Sequence, residues 1–215
     1  ATRAAGATLS GITTMTAGTL AGTHSEACSG RATAMALLAA SPTVSYAPSA
    51  QIVSARGYDC TGFAPSGSLG RVLDSLTARR NAQGRLIPSI AVLGLPTLSG
   101  TGPSLDSAMT RYVAAGGLLI VPAREDDQPV CTQSPWRVPG ILIVAATDSA
   151  DQVIPRSNTG SCVQMAAPGV NVPAFAYNSS SVSGMVRWSG SFAAASYVAG
   201  LAADRWVRTG LTTPG

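Results

Sequence analysis

The chain contains no lysine, only one histidine, and charged residues at just 11% of its positions. All fourteen of its cations are therefore arginines, scattered except for the adjacent Arg79 and Arg80. Nucleic-acid-binding surfaces gather basic residues into patches or stripes, so that class is excluded despite a formal charge of +4. The Ala/Gly/Arg-rich composition reflects the coding bias of a GC-rich genome and not a function. Long apolar runs are missing as well. The best, Gly116 to Val121, has the length of a strand and falls far short of the ~18 residues of a membrane helix, so no membrane span is expected. Low charge combined with 46% hydrophobic residues is the opposite of the signature of disorder. A chain of 215 residues can bury roughly 70% of its unfolded surface. No repeat, linker or low-complexity segment interrupts it, and residues 1–215 read as a single globular domain.

The four cysteines, Cys28, Cys60, Cys131 and Cys162, form no C-x-x-C pair. With a single histidine available, a zinc site would need four thiolates from distant places, so two disulfides are expected instead. Disulfides imply an oxidising compartment, and a chain that starts at Ala1 and not at Met fits removal of a leader or excision from something longer. The expected location is outside the cytoplasm: secreted, extracellular or periplasmic.

Residues 1–30 are small and polar with little periodicity. Thr33 to Ala40 is a run of strong helix formers stopped by Ser41-Pro42. Leu69, Val72, Leu73 and Leu76 mark one face of a helix over Ser68 to Arg80. Further helices are predicted over Leu105–Ala115 and Phe192–Arg208, and apolar strands over Gln51–Arg56, Ile87–Leu95, Leu118–Val121 and Ile141–Ala146. Strands alternating with helices predict an α/β fold, a mostly parallel sheet with helices on both faces. Ligands bind such sheets at the carboxyl ends of the strands.

Four segments carry a family resemblance. Tyr46-Ala-Pro-Ser-Ala-Gln-Ile-Val-Ser-Ala-Arg56 is similar to an A-P-x-A-x-I strand, and Ser134 to Asp148 to S-P-A-x-V-P-G-x-I-x-V-G-A-T-D. Ser157 to Gly169 resembles S-N-Y-G-S-C-V-D-x-x-A-P-G, and Ser189 to Gly200 resembles S-G-T-S-M-A-T-P-H-V-A-G without a gap. These are motifs of the subtilisin-like serine proteases, in the disulfide-bearing branch around proteinase K and aqualysin. The match runs over about residues 7–205 in family order. It implies a subtilisin-like three-layer fold and the pairing Cys28–Cys60 and Cys131–Cys162. It also implies ends shorter than the family's, with surface near residues 1–8 and 205–215 that is apolar in the isolated chain or buried by another chain.

The same resemblance implies that the catalytic triad is degenerate. Leu9 stands in the aspartate's place, Arg31 in the histidine's and Phe192 in the serine's. A leucine cannot orient an imidazole, an arginine is too strong an acid to serve as base near neutral pH, and a phenylalanine has no nucleophile. Counting from Gly117 puts Asp126 in the place of the oxyanion-hole asparagine, where a carboxylate would repel the developing charge. Val92-Leu93-Gly94-Leu95 stands for the substrate-binding strand, with a leucine where the family has glycine, and Arg124 and Glu125 flank the former cleft.

The expectation from these losses is a catalytically inactive pseudoprotease, not an enzyme, retained as a protein-binding or structural subunit of an exported complex. Its partners would be other protein chains, such as an active protease or a surface assembly, with no nucleic acid. The alternative is an active serine endopeptidase with a rearranged site that uses His24, within Gly22-Thr23-His24, and Ser191, one residue before Phe192. No cofactor is expected. Glu125, Asp126 and Asp127 could suggest a calcium site, but a solvated acidic turn is the simpler reading.

Overall fold

The computed structural model describes residues 13–16, 30–41, 44–59, 61–65, 67–79, 84, 89–95, 97–178 and 181–209. Leu9, His24, Cys28 and Cys60 lie outside the described residues, and with them the Cys28–Cys60 pairing and the apolar surface expected near residues 1–8.

Along the chain run β1 (Thr13–Thr16), α1 (Gly30–Ala40), β2 (Val53–Arg56), α2 (Ser68–Thr77), β3 (Ile90–Val92) and α3 (Pro103–Ala114). They are followed by β4 (Leu118–Pro122), β5 (Leu142–Thr147), β6 (Val163–Pro168), β7 (Val172–Asn178), β8 (Ser181–Trp188) and α4 (Ser191–Thr209). Strands β3-β4-β5-β6 form a parallel sheet in that order, β1 pairs with β2 in parallel, and β7 and β8 form an antiparallel hairpin. The α/β class and the mostly parallel sheet therefore hold.

The layers follow from the period-2 alternation of buried strands. On β4 and β5, Leu119, Val121, Ile143 and Ala145 point to one face, where they pack with Leu69 and Leu73 of α2 and Leu105, Met109 and Tyr112 of α3. Ile120, Val144 and Ala146 point to the other, where Ala194, Ala195, Val198 and Ala199 of α4 cover them. Both faces of the central strands are dry, which is why these segments read as unbroken apolar runs. Trp136 is buried and closes the end of β4 by donating its indole N–H to the Pro122 carbonyl at 2.9 Å. Among the described residues, no helix is long and apolar enough to cross a membrane.

The elements depart from the sequence expectation mainly after residue 160. Strand β6, Val-Gln-Met-Ala-Ala-Pro, has neither alternation nor an apolar run, and it is exposed along much of its length. Its Gln164 side chain accepts from the Ile143 N–H at 2.9 Å and donates to the Ile141 carbonyl at 3.1 Å, serving as a strand surrogate beside a register shift. Helix α1 starts three residues before its predicted first residue, Thr33, because Gly30, Arg31 and Ala32 extend it.

Candidate active site

The loops that leave β3 and β4 lie side by side, since those strands are neighbours in register Ile90↔Leu118. The Leu93 N–H donates to the Ile120 carbonyl at 2.9 Å and the Ala123 N–H to the Val144 carbonyl at 2.8 Å, carrying both chains past the carboxyl edge of the sheet. Val92 ends β3, and a Cβ on Gly94 would meet the Met35 sulfur at 3.4 Å. The leucine expected to project into the cleft does not do so. Leu95 is 1% exposed and belongs to the core on the α2/α3 face, because its apolar side chain gains more from that core than from the polar loop.

Beyond β4 the chain turns sharply. Arg124 and Asp127 hold left-handed φ angles of 74° and 56°, unusual for residues with a Cβ. The Arg124 N–H donates to Ser191 Oγ at 2.9 Å, and its guanidinium donates to the Leu95 carbonyl at 3.2 Å and to the Asp126 carboxylate at 2.8 Å. Glu125 Oε1 accepts the Ser191 N–H at 2.6 Å. This corrects the expectation for the oxyanion position. Glu125, and not Asp126, faces the start of α4, because the turn at Arg124 sends the next side chain inward and the one after it back onto the guanidinium. That hydrogen bond holds the Asp126 carboxyl below its ordinary value, and Asn158 and Arg156 lower it further. Tyr58 lies in the field of the Arg124 charge, yet burial of the phenol outweighs that charge and raises its pKa. Its hydroxyl donates to the Thr97 carbonyl at 3.2 Å.

Asn158 fastens this loop from behind. The residue is 2% exposed. Its Nδ2 donates to the Ala123 carbonyl at 2.8 Å, while Oδ1 accepts the N–H groups of Asp126 and Gln128 at 2.9 and 3.0 Å. The Asn158 N–H donates to the Arg124 carbonyl at 2.9 Å. In the sequence Asn158 stands only inside the longer motif Ser157 to Gly169. An amide side chain amid small residues was the one signal of its role.

On the other side of the sheet edge, Ser191 is fully buried at the first position of α4. Gly190 precedes it with φ 124°, and a Cβ there would stand 3.3 Å from the Glu125 carboxylate, so the glycine is what lets that carboxylate approach. Phe192 and Arg31 are half-buried and meet, the guanidinium carbon 4.7 Å from the ring centre. Among the described residues Arg31 forms no ion pair with Glu125 or Asp126. Cys131 and Cys162 are bridged, with Cα atoms 5.5 Å apart, which ties the loop after β4 to the start of β6. Among the described residues no group of three or more His, Cys, Asp and Glu is placed to hold a metal ion.

The arrangement thus places a buried hydroxyl and a backbone N–H, the latter taken by Glu125, at the start of a long helix, at the carboxyl edge of a parallel sheet. That is where a serine nucleophile and an oxyanion donor are placed in acyl transfer.

No protein-family model matches the chain. It is 30% identical over 182 residues to an extracellular serine proteinase of Thermus sp. (strain Rt41A), spanning 85% of this chain and 42% of the relative. It is 31% identical over 176 residues to alkaline serine exoprotease A of Vibrio alginolyticus, spanning 82% of this chain and 31% of that protein. The chain thus spans less than half the length of either relative. The crystal structure of a cold-adapted subtilisin-like serine proteinase superposes with a TM-score of 0.77 at 26% identity, covering 94% of this chain and 70% of that one. These findings overturn the expectation of a chain that is not an enzyme, since the proteins it matches over most of its length are named proteinases. In sequence and in fold, the chain belongs to the family of subtilisin-like serine proteinases.

Proposed function

We propose that the chain is the peptidase domain of an exported subtilisin-like serine endopeptidase with a rearranged site, acting on polypeptide. Ser191 is the nucleophile and His24 the general base. The observation that carries this reading is the position of Ser191, whose hydroxyl sits at the first residue of α4 and accepts the Arg124 N–H at 2.9 Å. Elimination supplies the rest. Phe192 and Arg31, where the family's nucleophile and base would stand, have no chemistry for those roles near neutral pH. His24 is the sole histidine of the chain, so a serine–histidine mechanism has no other base.

In that mechanism the Ser191 oxygen attacks the scissile carbonyl while its proton passes to the imidazole, which then hands it to the leaving amine. Water, deprotonated by the same imidazole, releases the acyl group and restores the serine. Export is supported by the Cys131–Cys162 bridge and by the extracellular proteinase among the relatives.

The test is a fluorophosphonate probe followed by peptide mapping. Covalent labelling of Ser191 that disappears in Ser191→Ala and in His24→Ala is the expected result. Labelling of another serine, or capture of polypeptide with neither labelling nor cleavage, would overturn it.

A further inference from the structure

Three consecutive residues after β4 occupy the site that the preceding proposal assigns to catalysis. Arg124 spans it: its backbone N–H is on Ser191 Oγ at 2.9 Å and its guanidinium on the Leu95 carbonyl at 3.2 Å, in the loop that leaves β3. Glu125 fills it: its carboxylate takes the Ser191 N–H at 2.6 Å. Asp126 braces it, holding the guanidinium through Nε at 2.8 Å and Nη2 at 3.2 Å. Asn158 keeps the base of the loop fixed through four hydrogen bonds.

Each contact opposes acyl transfer. A carboxylate at the first turn of a helix is held by the unpaired N–H groups and the positive end of the dipole. An oxyanion forming on a substrate carbonyl would need that same donor and would meet the fixed negative charge of Glu125 instead. The guanidinium on the Leu95 carbonyl ties the loop after β4 to the loop after β3, the two segments that flank the site. The side chain of Arg124 is only 17% exposed, so it is packed against the protein and not free in solvent.

We propose that residues 124–126 form an autoinhibitory bar: the resting chain is closed by Arg124 on Leu95 and Glu125 on Ser191, and an extended polypeptide enters only when both contacts are released. As regards Ser191, this rests on the peptidase reading above. No covalent change is required, since opening exchanges internal hydrogen bonds for bonds to the incoming chain.

The test compares the full chain with Arg124→Gly, Glu125→Ala and Glu125→Gln in two measurements. One is the rate of fluorophosphonate labelling at Ser191. The other is binding of fluorescein-labelled, carboxymethylated casein by anisotropy. Glycine adopts the φ of 74° at position 124 without strain, so Arg124→Gly keeps the turn while removing the bar. Thermal melts identify any variant that fails to fold, and the Arg124 and Glu125 variants test the bar independently. The expected result is labelling and casein binding enhanced roughly tenfold or more in Arg124→Gly and Glu125→Ala, the scale of one lost charge-assisted hydrogen bond. Glu125→Gln keeps an acceptor without the charge and falls between. Unchanged rates and affinities in folded variants overturn the bar, while wild-type labelling at Ser191 would leave the peptidase reading standing. If no form labels, the role of Ser191 falls and casein affinity alone decides: tighter binding in the open variants supports the bar, and equal binding overturns it.

Discussion

The guanidinium of Arg31 lies over the ring of Phe192, 4.7 Å from its centre, and joins the first turn of α1 to the first turn of α4. Helix α4 covers one face of the sheet and α1 packs against α4, so the contact bears on how the two helix starts are spaced. A cation over an aromatic face contributes about 0.5–1 kcal/mol where water still has access. A double-mutant cycle with Arg31→Ala and Phe192→Ala, read by urea unfolding, is expected to show coupling of about that size. Arg31→Leu preserves stem packing and loses the charge, so it should retain less of the coupling than Arg31→Lys. Strict additivity would mean that the contact does not exist in solution.

Gly200 sits inside α4, where an alanine would ordinarily be favoured by about 1 kcal/mol. Here the expectation reverses. A Cβ at that position would stand 2.6 Å from the Ala39 carbonyl oxygen and 3.3 Å from its carbon, backbone atoms of α1 that cannot swing aside. Gly200→Ala is therefore expected to destabilise the fold by roughly 1–3 kcal/mol, the usual cost of overpacking. The check is the midpoint of chemical unfolding, and a stabilised variant would refute the close α1–α4 crossing.

Legibility in the sequence followed the physics of each element. Strands β4 and β5 are buried on both faces and the helices α2 and α3 on one, so their periods were written in Leu, Ile and Val. β6 lies exposed along much of its length and is tied to β5 partly by the Gln164 side chain, which no hydrophobic period records. At the site, the motifs located Arg31 and Phe192 as residues without catalytic chemistry. They did not foresee that Leu95 turns into the core, or that Glu125 and not Asp126 faces Ser191. The second outcome depends on the left-handed turn at Arg124, a backbone choice that a non-glycine residue conceals. Read as strings, the degenerate motifs suggested a chain that is not an enzyme, and the proteinase relatives corrected that.

Asn158 holds the loop by satisfying three backbone groups with one buried side chain, and its own N–H holds a fourth. Asn158→Ala leaves the Ala123 carbonyl and the Asp126 and Gln128 N–H groups without that partner. A cost of about 2–3 kcal/mol is expected. Asn158→Asp is expected to be at least as damaging, because it replaces the donor to Ala123 with a charge beside Asp126. Unfolding in urea checks the cost, and amide exchange at Asp126 and Gln128 should accelerate in both variants. Protection unchanged from wild type would show that the loop does not need this anchor.

Reducing the Cys131–Cys162 bridge releases a loop closed over a separation of 31 residues. The loop-entropy model assigns such a closure about 3–4 kcal/mol. Cys131→Ser with Cys162→Ser should lower the unfolding free energy by an amount of that order without abolishing the fold, because Cys162 only borders a β4–β5 core built from many other apolar side chains. Equal stability of the double variant and the oxidised protein would exclude a structural role.

The Arg124–Asp126 pair gives the loop a dependence on acid. The guanidinium hydrogen bond is the largest influence on the Asp126 carboxyl; burial, the next, opposes it, and the Arg124 charge, Asn158 and the Arg156 charge lower it further in that order. The folded value is therefore lower than the unfolded one. The stabilisation is fully present above the ordinary carboxylate value of about 4 and is lost as pH falls through the lowered one. The carboxylate is 44% exposed, so salt screens the pair and its contribution to global stability is small. Its titration is the sharper readout. Carbon-detected NMR of the Asp126 carboxyl should give a midpoint below the ordinary value, and Arg124→Gly should move it back up. The stability gap between wild type and Asp126→Asn should be flat near neutrality and close as the medium becomes acid. A wild-type midpoint at or above the ordinary value would show that Arg124 does not hold Asp126 in solution, and the brace of the loop would have to be sought elsewhere.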